Sequence, residues 1–237
     1  MTEAPGRRDR SWRLPFLDDP DWQMWAGERA ALEGVLSALR PRLSIEIGTA
    51  QGGSLRRIAA HSGAVHAFDV DPAVAEVVRA VPNAIAHVGD SAATLPPVLA
   101  ELAAAGHNVD FALVDGDHSA AGVQRDVRAL LASPACSRTV VILHDSANEA
   151  VRDGLEALGL PDHPKVRVWM PDFVPGYLVG ARHERAGEIW EGLALAVLDV
   201  DAPPGPAVQD EVHENVSAVY RAFRDAKARA AGSPARP

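Results

Sequence analysis

Short apolar runs recur along the middle of the chain and alternate with longer stretches rich in Ala and Leu. The runs are LSIEIG, AVHAFDV, AIAHVG, VDFALVDG and TVVILHD, and the stretches between them have helical character. Strands that alternate with helices predict βαβ units, and hence a parallel sheet with helices on both faces. Ligands of such sheets bind outside the carboxyl ends of the strands, so the residues that end each run form the candidate site.

The segments on either side of these runs predict further elements. Leu32, Leu36 and Leu39 follow Trp25 at helical spacing, and Pro41 ends this first helix. After residue 145, ANEAVRDGLEALG predicts a helix, and VRVWM and LALAVLDV predict two strands. A final amphipathic helix has one apolar face, formed by Val212, Val216, Val219, Tyr220 and Phe223. The pattern therefore predicts an α/β fold with a seven-stranded, mostly parallel sheet, and it leaves the order of the last strands open.

The two ends of the chain do not continue this pattern. Residues 1–20 are charged and aromatic, and prolines at positions 5, 15 and 20 interrupt any helix, so we predict a mobile arm. The tail AGSPARP predicts disorder for residues 230–237. Residues 21–229 show no internal repeat and no clear boundary, which predicts a single domain.

Composition and charge narrow the class of partner. The 237 residues are 47% hydrophobic and 23% charged, as in an ordinary globular protein. The net charge of −9 argues against a nucleic-acid-binding face and favours a small-molecule substrate. The sequence shows neither a secretory signal nor the roughly 20 apolar residues of a membrane span. We expect a cytoplasmic protein without a membrane partner, and its first and last helices offer a surface for a homo-oligomer.

A glycine-rich turn follows the first strand, in the segment EIGTAQGGS that starts at Glu46. Glycines at positions 48, 52 and 53 let a ligand approach the backbone, and the next helix offers free N–H donors at its start. The spacing matches neither the dinucleotide-binding pattern nor a P-loop, so phosphate binding is not favoured. Taken alone, the segment is equally compatible with a tight strand-to-helix turn.

Acidic residues end the next two strands. Asp69 lies about twenty residues after the glycine turn, where an acid can accept hydrogen bonds from both ribose hydroxyls. Asp90 and Ser91 follow the third strand, and Asp71 either joins the site or caps the next helix. A cationic ligand that carries a ribose and an adenine suits this acidic rim.

The three segments IEIGTAQGGS, HAFDVDP and HVGDSA resemble the cofactor motifs of class I S-adenosylmethionine-dependent methyltransferases, over about a hundred residues. The resemblance implies a Rossmann-like fold. It also implies that the first segment holds the methionyl part of the cofactor, Asp69 the ribose, and Asp90 with Ser91 the adenine. The implied cofactor-binding residues are Glu46, Gly48, Thr49, Gly52, Gly53, Ser54, Asp69, Asp90 and Ser91.

A second polar cluster ends the fourth and fifth strands. Asp115, Asp117 and His118 follow the fourth strand, and His144 and Asp145 follow the fifth. If these strands are neighbours, two carboxylates meet, and a cation between them relieves their repulsion. Oxygen ligands suit Mg²⁺, with Mn²⁺ and Ca²⁺ as alternatives.

The segments VDGDHSAAGVQRDV and VILHDS resemble metal-dependent small-molecule O-methyltransferases such as macrocin O-methyltransferase, and also cephalosporin hydroxylase-like proteins. The resemblance implies Mg²⁺ ligation by Asp115, Asp145 and the residue at position 144. The histidine there departs from the carboxylate of the family, so His144 is either a ligand or a group that supports the ligands.

For catalysis, His118 is our first candidate general base, because imidazole titrates near neutrality, and Asp117 is the alternative. Each also has a plain structural interpretation, His118 as a solvated residue near a helix start and Asp117 as a turn residue. We predict core positions for Trp169 and Trp190.

Three functions follow from these patterns. The first is O-methylation of a hydroxyl on a small molecule, such as a natural product or its sugar, with a divalent metal. The second is a metal-dependent hydroxylase-like enzyme on the same scaffold. The third is a non-catalytic module that binds S-adenosylmethionine.

Overall fold

The computed structural model describes residues 19–180, 183–202, 208–209 and 216–230. Most of the predicted N-terminal arm, most of the predicted C-terminal tail and Val212 of the last helix therefore lie outside the described residues. Among the helices in these ranges, none has the length and apolar character required to cross a membrane.

The main sheet has the predicted parallel core. The strands of the described residues are β1 (Leu43–Ile47), β2 (Ala64–Asp69), β3 (Ala84–Val88), β4 (Phe111–Val114), β5 (Arg138–His144), β6 (Val166–Val174), β7 (Tyr177–Leu178), β8 (Ile189–Trp190), β9 (Leu193–Asp199) and β10 (Val208–Gln209). The order is β10-β6-β9-β5-β4-β1-β2-β3, while β7 and β8 form a separate hairpin. Strand β9 runs antiparallel to both of its neighbours, and the other pairs of the main sheet are parallel.

This arrangement confirms the predicted α/β fold, in which the seven predicted strands, β1 to β6 and β9, form a mostly parallel sheet. The two-residue strand β10 extends the edge beside β6. The prediction had left open the order of the last strands, and the structure inserts β9 between β5 and β6.

Helices cover both faces of the sheet. They are α1 (Ala26–Leu39), α2 (Gly53–His61), α3 (Val74–Arg79), α4 (Ser91–Ala104), α5 (Ala120–Ala132), α6 (Glu149–Glu156) and α7 (Val216–Ala230). One core joins α1, α2 and α3 to the sheet, and another joins α4, α5 and α6 to the opposite face. Strand β4 shows why, because Phe111 and Leu113 enter the first core while Ala112 and Val114 enter the second.

The order of the strands positions the site. The chain moves outward from β1 through β2 to β3, and it then returns to the other side of β1 to form β4 and β5. Such a reversal opens a crevice at the carboxyl ends of the strands on either side of it. The polar ends of β1, β2, β4 and β5 therefore face one crevice.

Candidate functional site

A cavity of about 500 Å³ opens at this end of the sheet. It extends from the glycine turn after β1 to the polar residues after β4. Both of the clusters that the sequence predicts line it, the first through Asp69, Asp90 and Ser91 and the second through Asp115, Asp117 and His118, and Gln23 and Arg125 complete the polar lining. Arg125, on α5, is a lining residue that the sequence analysis did not single out.

Two positions of the turn after β1 need glycine. Gly48 has a φ of +87°, and a Cβ there would lie 2.0 Å from the carbonyl oxygen of Asp115. A Cβ on Gly53 would lie 2.2 Å from the Cα of Trp22, so the segment before α1 packs directly on this turn. Both glycines let the turn pack closely against neighbouring backbone.

Asp69 holds the glycine turn in place. Its Oδ2 accepts hydrogen bonds from the backbone N–H groups of Thr49 at 2.9 Å and Ala50 at 2.8 Å. The carboxylate also lines the cavity, at the position where the resemblance implies ribose binding. Asp71 accepts a bond from the backbone N–H of Ala73 at 2.8 Å, which fits the capping interpretation of this residue.

Glu46 is fully buried at the end of β1. Its Oε2 accepts a hydrogen bond from the Thr49 hydroxyl at 3.0 Å, whereas Oε1 has no partner among the described residues. Burial raises the pKa of this carboxyl to about 8, although hydrogen bonds from Ser54 and Thr49 act in the opposite direction. A buried acceptor of this kind suits a cationic group of a ligand.

The third strand leads into a polar network at the start of α4. Asp90 caps this helix by accepting from the backbone N–H of Ala92 at 2.9 Å. The Ser91 hydroxyl donates to Asp126 Oδ1 at 2.7 Å, and burial raises the pKa of Asp126. Both Asp90 and Ser91 line the cavity, so the two predicted adenine-binding residues lie together there.

The predicted metal residues converge at the other end of the cavity. Parallel pairing of β4 with β5 brings the carboxyl ends of these strands together, as the hypothesis required. His144 Nδ1 lies 2.8 Å from Asp115 Oδ1 and 3.7 Å from Asp145 Oδ2. His118 Nε2 lies 3.3 Å and 3.4 Å from the same two oxygens. Each of the four residues can direct one ligand atom to a common centre.

The charges of this cluster depend on one another. Burial acts to raise the pKa of Asp115, but His144 and His118 outweigh it and hold the pKa below its usual value. Burial raises the pKa of Asp145. For His144, burial opposes protonation, yet the neighbouring carboxylates raise its pKa well above the usual value. A positive charge among the two carboxylates is therefore favourable, whether it is a proton or a metal ion.

Two further carboxylates lie behind His144, and the sequence analysis missed both. His144 Nε2 lies 3.1 Å from Glu191 Oε2 and 3.4 Å from Glu28 Oε2. Glu28 accepts from the backbone N–H of Gly192 at 2.6 Å, and burial raises its pKa to about 7. One signal could have identified Glu28, because it shares the buried face of α1 with Leu32 at a helical step of four residues.

The two candidate bases lie in different surroundings. His118 belongs to the four-residue cluster with Asp115, His144 and Asp145, and its ring contacts Trp190 edge to face, with ring centroids 6.0 Å apart. Asp117 accepts from the backbone N–H of Ser119 at 3.0 Å and lies 3.7 Å from Arg125, outside the cluster. Trp169 is buried as predicted, whereas Trp190 is only partly buried beside His118.

The donor set fits a divalent cation. Two carboxylates and two imidazoles supply oxygen and nitrogen atoms, and these atoms lie within 4.8 Å of one another. The glycine turn, the buried Glu46 oxygen and the acidic rim also fit a nucleoside ligand with a positive charge. Both parts open into one cavity.

Comparison with known proteins agrees with this geometry. Residues 45–146 match the model of a family described as a methyltransferase domain. No curated protein matches the sequence.

Solved structures share the fold. The O-methyltransferase TomG from Streptomyces achromogenes, described as involved in tomaymycin synthesis, is 19% identical, with a TM-score of 0.55 over 77% of this chain and 84% of TomG. An O-methyltransferase from Bacillus cereus is 17% identical, with a TM-score of 0.52 over 76% of this chain and 84% of its own. Cofactor-bound Rv0187 from MTB is 21% identical, with a TM-score of 0.52 over 77% and 84% of the two chains. At these identities the likeness concerns the fold.

Proposed function

We propose that the protein is an S-adenosylmethionine-dependent O-methyltransferase, and the match of residues 45–146 to the model of a methyltransferase domain family supports this. Its acceptor is a hydroxyl group of a small molecule, and a divalent metal ion assists the reaction. One observation carries the proposal: a single cavity is lined by Asp69 and Asp90 at one end and by Asp115 and His118 at the other. A cofactor at the first end and a hydroxyl at the second would meet inside it.

The residues that line the site would bind the cofactor and the metal ion and align the two reactants. S-adenosylmethionine would supply the methyl group, and a divalent ion held by Asp115, His144 and Asp145 would lower the pKa of the acceptor hydroxyl. The buried Glu46 carboxylate and the turn around Gly48 would hold the methionyl part of the cofactor. Because methyl transfer is an in-line displacement, holding the two reactants in one orientation supplies much of the rate.

We propose that His118 accepts the proton of the hydroxyl. Its side chain is 40% exposed toward the cavity, and Asp115 is the main cause that raises its pKa from the usual value. A raised pKa makes this imidazole a stronger base, and the unprotonated fraction that can accept the proton grows as pH rises. Asp117 is the weaker candidate, because its carboxylate lies outside the cluster and beside Arg125.

A small hydroxylated molecule is the acceptor that the charge pattern supports. The net charge of −9 and the carboxylates around the cavity would repel a phosphate backbone. The likeness to TomG, a protein described as involved in tomaymycin synthesis, supports a natural product or its sugar as the acceptor class.

The donor set also supports a second candidate function. Two imidazoles and a carboxylate are the ligands of many non-haem iron oxygenases, and His118, His144 and Asp115 offer that combination. A hydroxylase of this type would add one oxygen atom from dioxygen to its substrate rather than a methyl group, with two electrons from an organic co-substrate that takes up the second oxygen atom or releases it as water.

The test begins with calorimetric titration of S-adenosylmethionine into the protein, with and without added metal. We expect binding in both cases, and weaker binding for Asp69→Asn than for Asp71→Asn, which serves as the matched control. A panel of hydroxylated metabolites with methyl-labelled cofactor then gives the reaction, where transfer of label supports methylation. Absence of cofactor binding, or oxygen-dependent hydroxylation without label, would contradict the proposal.

A further inference from the structure

We propose that His144 is a metal ligand through Nδ1, held in place by Glu191 and Glu28, and that the site therefore selects a first-row transition ion over Mg²⁺. Mn²⁺, Co²⁺ and Zn²⁺ are the ions of this class that we consider. The inference deepens the proposed function, and it rests on that function only for the place of the metal beside the cofactor.

In the metal-free protein, Nδ1 of His144 is within hydrogen-bond distance of Asp115, and its distances to the two carboxylates are close to those of atoms that share one ion. Ligand atoms with metal bonds of about 2.0 to 2.2 Å lie about 3.0 to 3.5 Å apart when they surround one metal. His144 Nδ1 lies 2.8 Å from Asp115 Oδ1 and 3.7 Å from Asp145 Oδ2, and these values bracket that range. A small adjustment of the three side chains would therefore place one ion between them.

The other ring nitrogen has the partner that a ligating histidine needs. Metal-bound imidazoles usually donate their second N–H to a carboxylate, which fixes the ring and leaves the first nitrogen free to bind. His144 Nε2 lies 3.1 Å from Glu191 Oε2, and Glu28 lies behind it at 3.4 Å. All three side chains are mostly or fully buried, so water does not compete for these contacts.

The turn formed by Glu191 and Gly192 also orients Asp145, the second carboxylate ligand. The backbone N–H of Glu191 donates to Asp145 Oδ1 at 2.8 Å, which leaves Oδ2 of this residue directed at the cluster. Gly192, the next residue, donates to Glu28. Glu191 and Gly192 both have a positive φ, and this unusual backbone lets one turn make all of these bonds.

A nitrogen ligand changes which metal is preferred. Imidazole suits Zn²⁺, Co²⁺ and similar ions, whereas Mg²⁺ and Ca²⁺ prefer an all-oxygen set and bind nitrogen weakly. A carboxylate at position 144 would give that oxygen set. The histidine present in this chain therefore shifts the preference toward transition ions, whereas the sequence analysis expected Mg²⁺.

The first experiment compares metals in protein that has been freed of metal by chelation and carries no affinity tag. Co²⁺ binding is followed by visible absorption, Zn²⁺ by competition with Co²⁺, and Mg²⁺ by calorimetry. We expect Co²⁺ and Zn²⁺ to bind at least about tenfold more tightly than Mg²⁺. His144→Asp should reduce this ratio, and equal ratios in the two proteins would overturn the proposal.

The second experiment needs no change at position 144. Mn²⁺ is loaded into the His118→Ala protein, where His144 is the remaining imidazole of the four-residue cluster, and spin-echo spectroscopy measures coupling to nitrogen. Nitrogen coupling is expected, and its absence would overturn the proposal even if His144→Asp fails to fold.

A third comparison tests the carboxylate behind the ring. Glu191→Gln should weaken Co²⁺ binding about tenfold or more, as loss of such a partner usually does. Glu184→Gln is the matched control, because this exposed carboxylate lies on the connection between β7 and β8, seven residues before Glu191. Equal Co²⁺ affinities for the two variants would contradict the role of Glu191. S-adenosylmethionine binding without metal, measured on each variant, separates failure of this inference from failure of the proposed function.

Discussion

At the scale of single residues, Glu46 couples cofactor binding to pH. Its carboxyl has a pKa of about 8 in the protein without ligand, because it is buried and one of its oxygens lacks a partner among the described residues. A cationic cofactor group beside it would favour the ionised form. Binding near pH 7 therefore requires the carboxyl to lose a proton.

We expect the affinity for S-adenosylmethionine to rise with pH between about pH 6 and pH 8, with release of close to one proton at pH 7. Calorimetry in buffers of different ionisation enthalpy measures the proton release. Glu46→Gln should abolish the release and weaken binding. Uptake of a proton, or an unchanged release in the variant, would exclude this role.

His118→Ala tests the proposed general base. We expect kcat for methyl transfer to fall about 100-fold or more, since general base catalysis commonly contributes 10² to 10⁴ in rate. The affinity for S-adenosylmethionine should stay close to that of the original protein. His107→Ala, at an exposed position near the other end of β4, provides the control. Full turnover by His118→Ala at neutral pH would remove this residue as the base.

Sequence alone identified the residues whose position follows from a strand end. Asp115 and Asp145 could be predicted as neighbours because β4 and β5 are parallel and adjacent. Glu28 and Glu191 could not, since one comes from a helix before the sheet and the other from a turn with positive φ after β8. Nothing in local spacing fixes where two such distant segments meet.

At the scale of elements, the turn from β1 to α2 depends on Gly48. Alanine at this position would place its Cβ 2.0 Å from a backbone oxygen, in addition to the strain of a positive φ. Gly48→Ala should lower the free energy of unfolding by about 3 kcal/mol or more, and it should weaken cofactor binding.

Gly106→Ala separates the cost of a positive φ from the cost of a steric clash. Gly106 has a φ of +70°, but no neighbouring atom lies within 4 Å of the position that a Cβ would take, so this substitution should cost only about 1 kcal/mol. Urea unfolding measures both variants. Equal losses would mean that the contact between Gly48 and the residue after β4 is unimportant.

The parallel strands β1 to β5 were predictable because each one is an apolar run that the sequence itself shows. The runs that form β1 to β5 are apolar, and their order follows the rules for βαβ units. No such rule applies to the last strands, because β9 inserts between β5 and β6 and runs antiparallel to both. Pairing at that distance depends on side-chain packing, which a local pattern does not encode.

At the scale of the whole molecule, buried acids make stability depend on pH. Glu28 and Glu46 have pKa values of about 7 and about 8 in the folded protein, both above the usual value of an exposed glutamate. Above the pKa of an unfolded glutamate, the folded protein keeps protons that the unfolded chain has released. The free energy of unfolding therefore falls as pH rises from there through the folded pKa. His66, whose pKa falls to about 4, has the opposite effect, but only at pH values below about 6.5.

The free energy of unfolding of the metal-free and cofactor-free protein should therefore fall between pH 7 and pH 8, by about 1 kcal/mol for Glu46 and by about 0.4 kcal/mol for Glu28. Urea unfolding at the two pH values measures the change. Glu46→Gln should show a smaller fall. A rise in stability over this interval would contradict the assignment of buried protonated acids.

The hydrogen bond from Gly192 to Glu28 joins residues that are 164 positions apart. During synthesis the segments that line the cofactor end of the cavity leave the ribosome first. The pairing of Glu28 and Glu191 with His144 requires the turn at residues 191 and 192, which is made later. The support behind His144 is therefore complete only in a chain that has been synthesised beyond residue 192, whereas the predicted cofactor-binding residues are all present by residue 91.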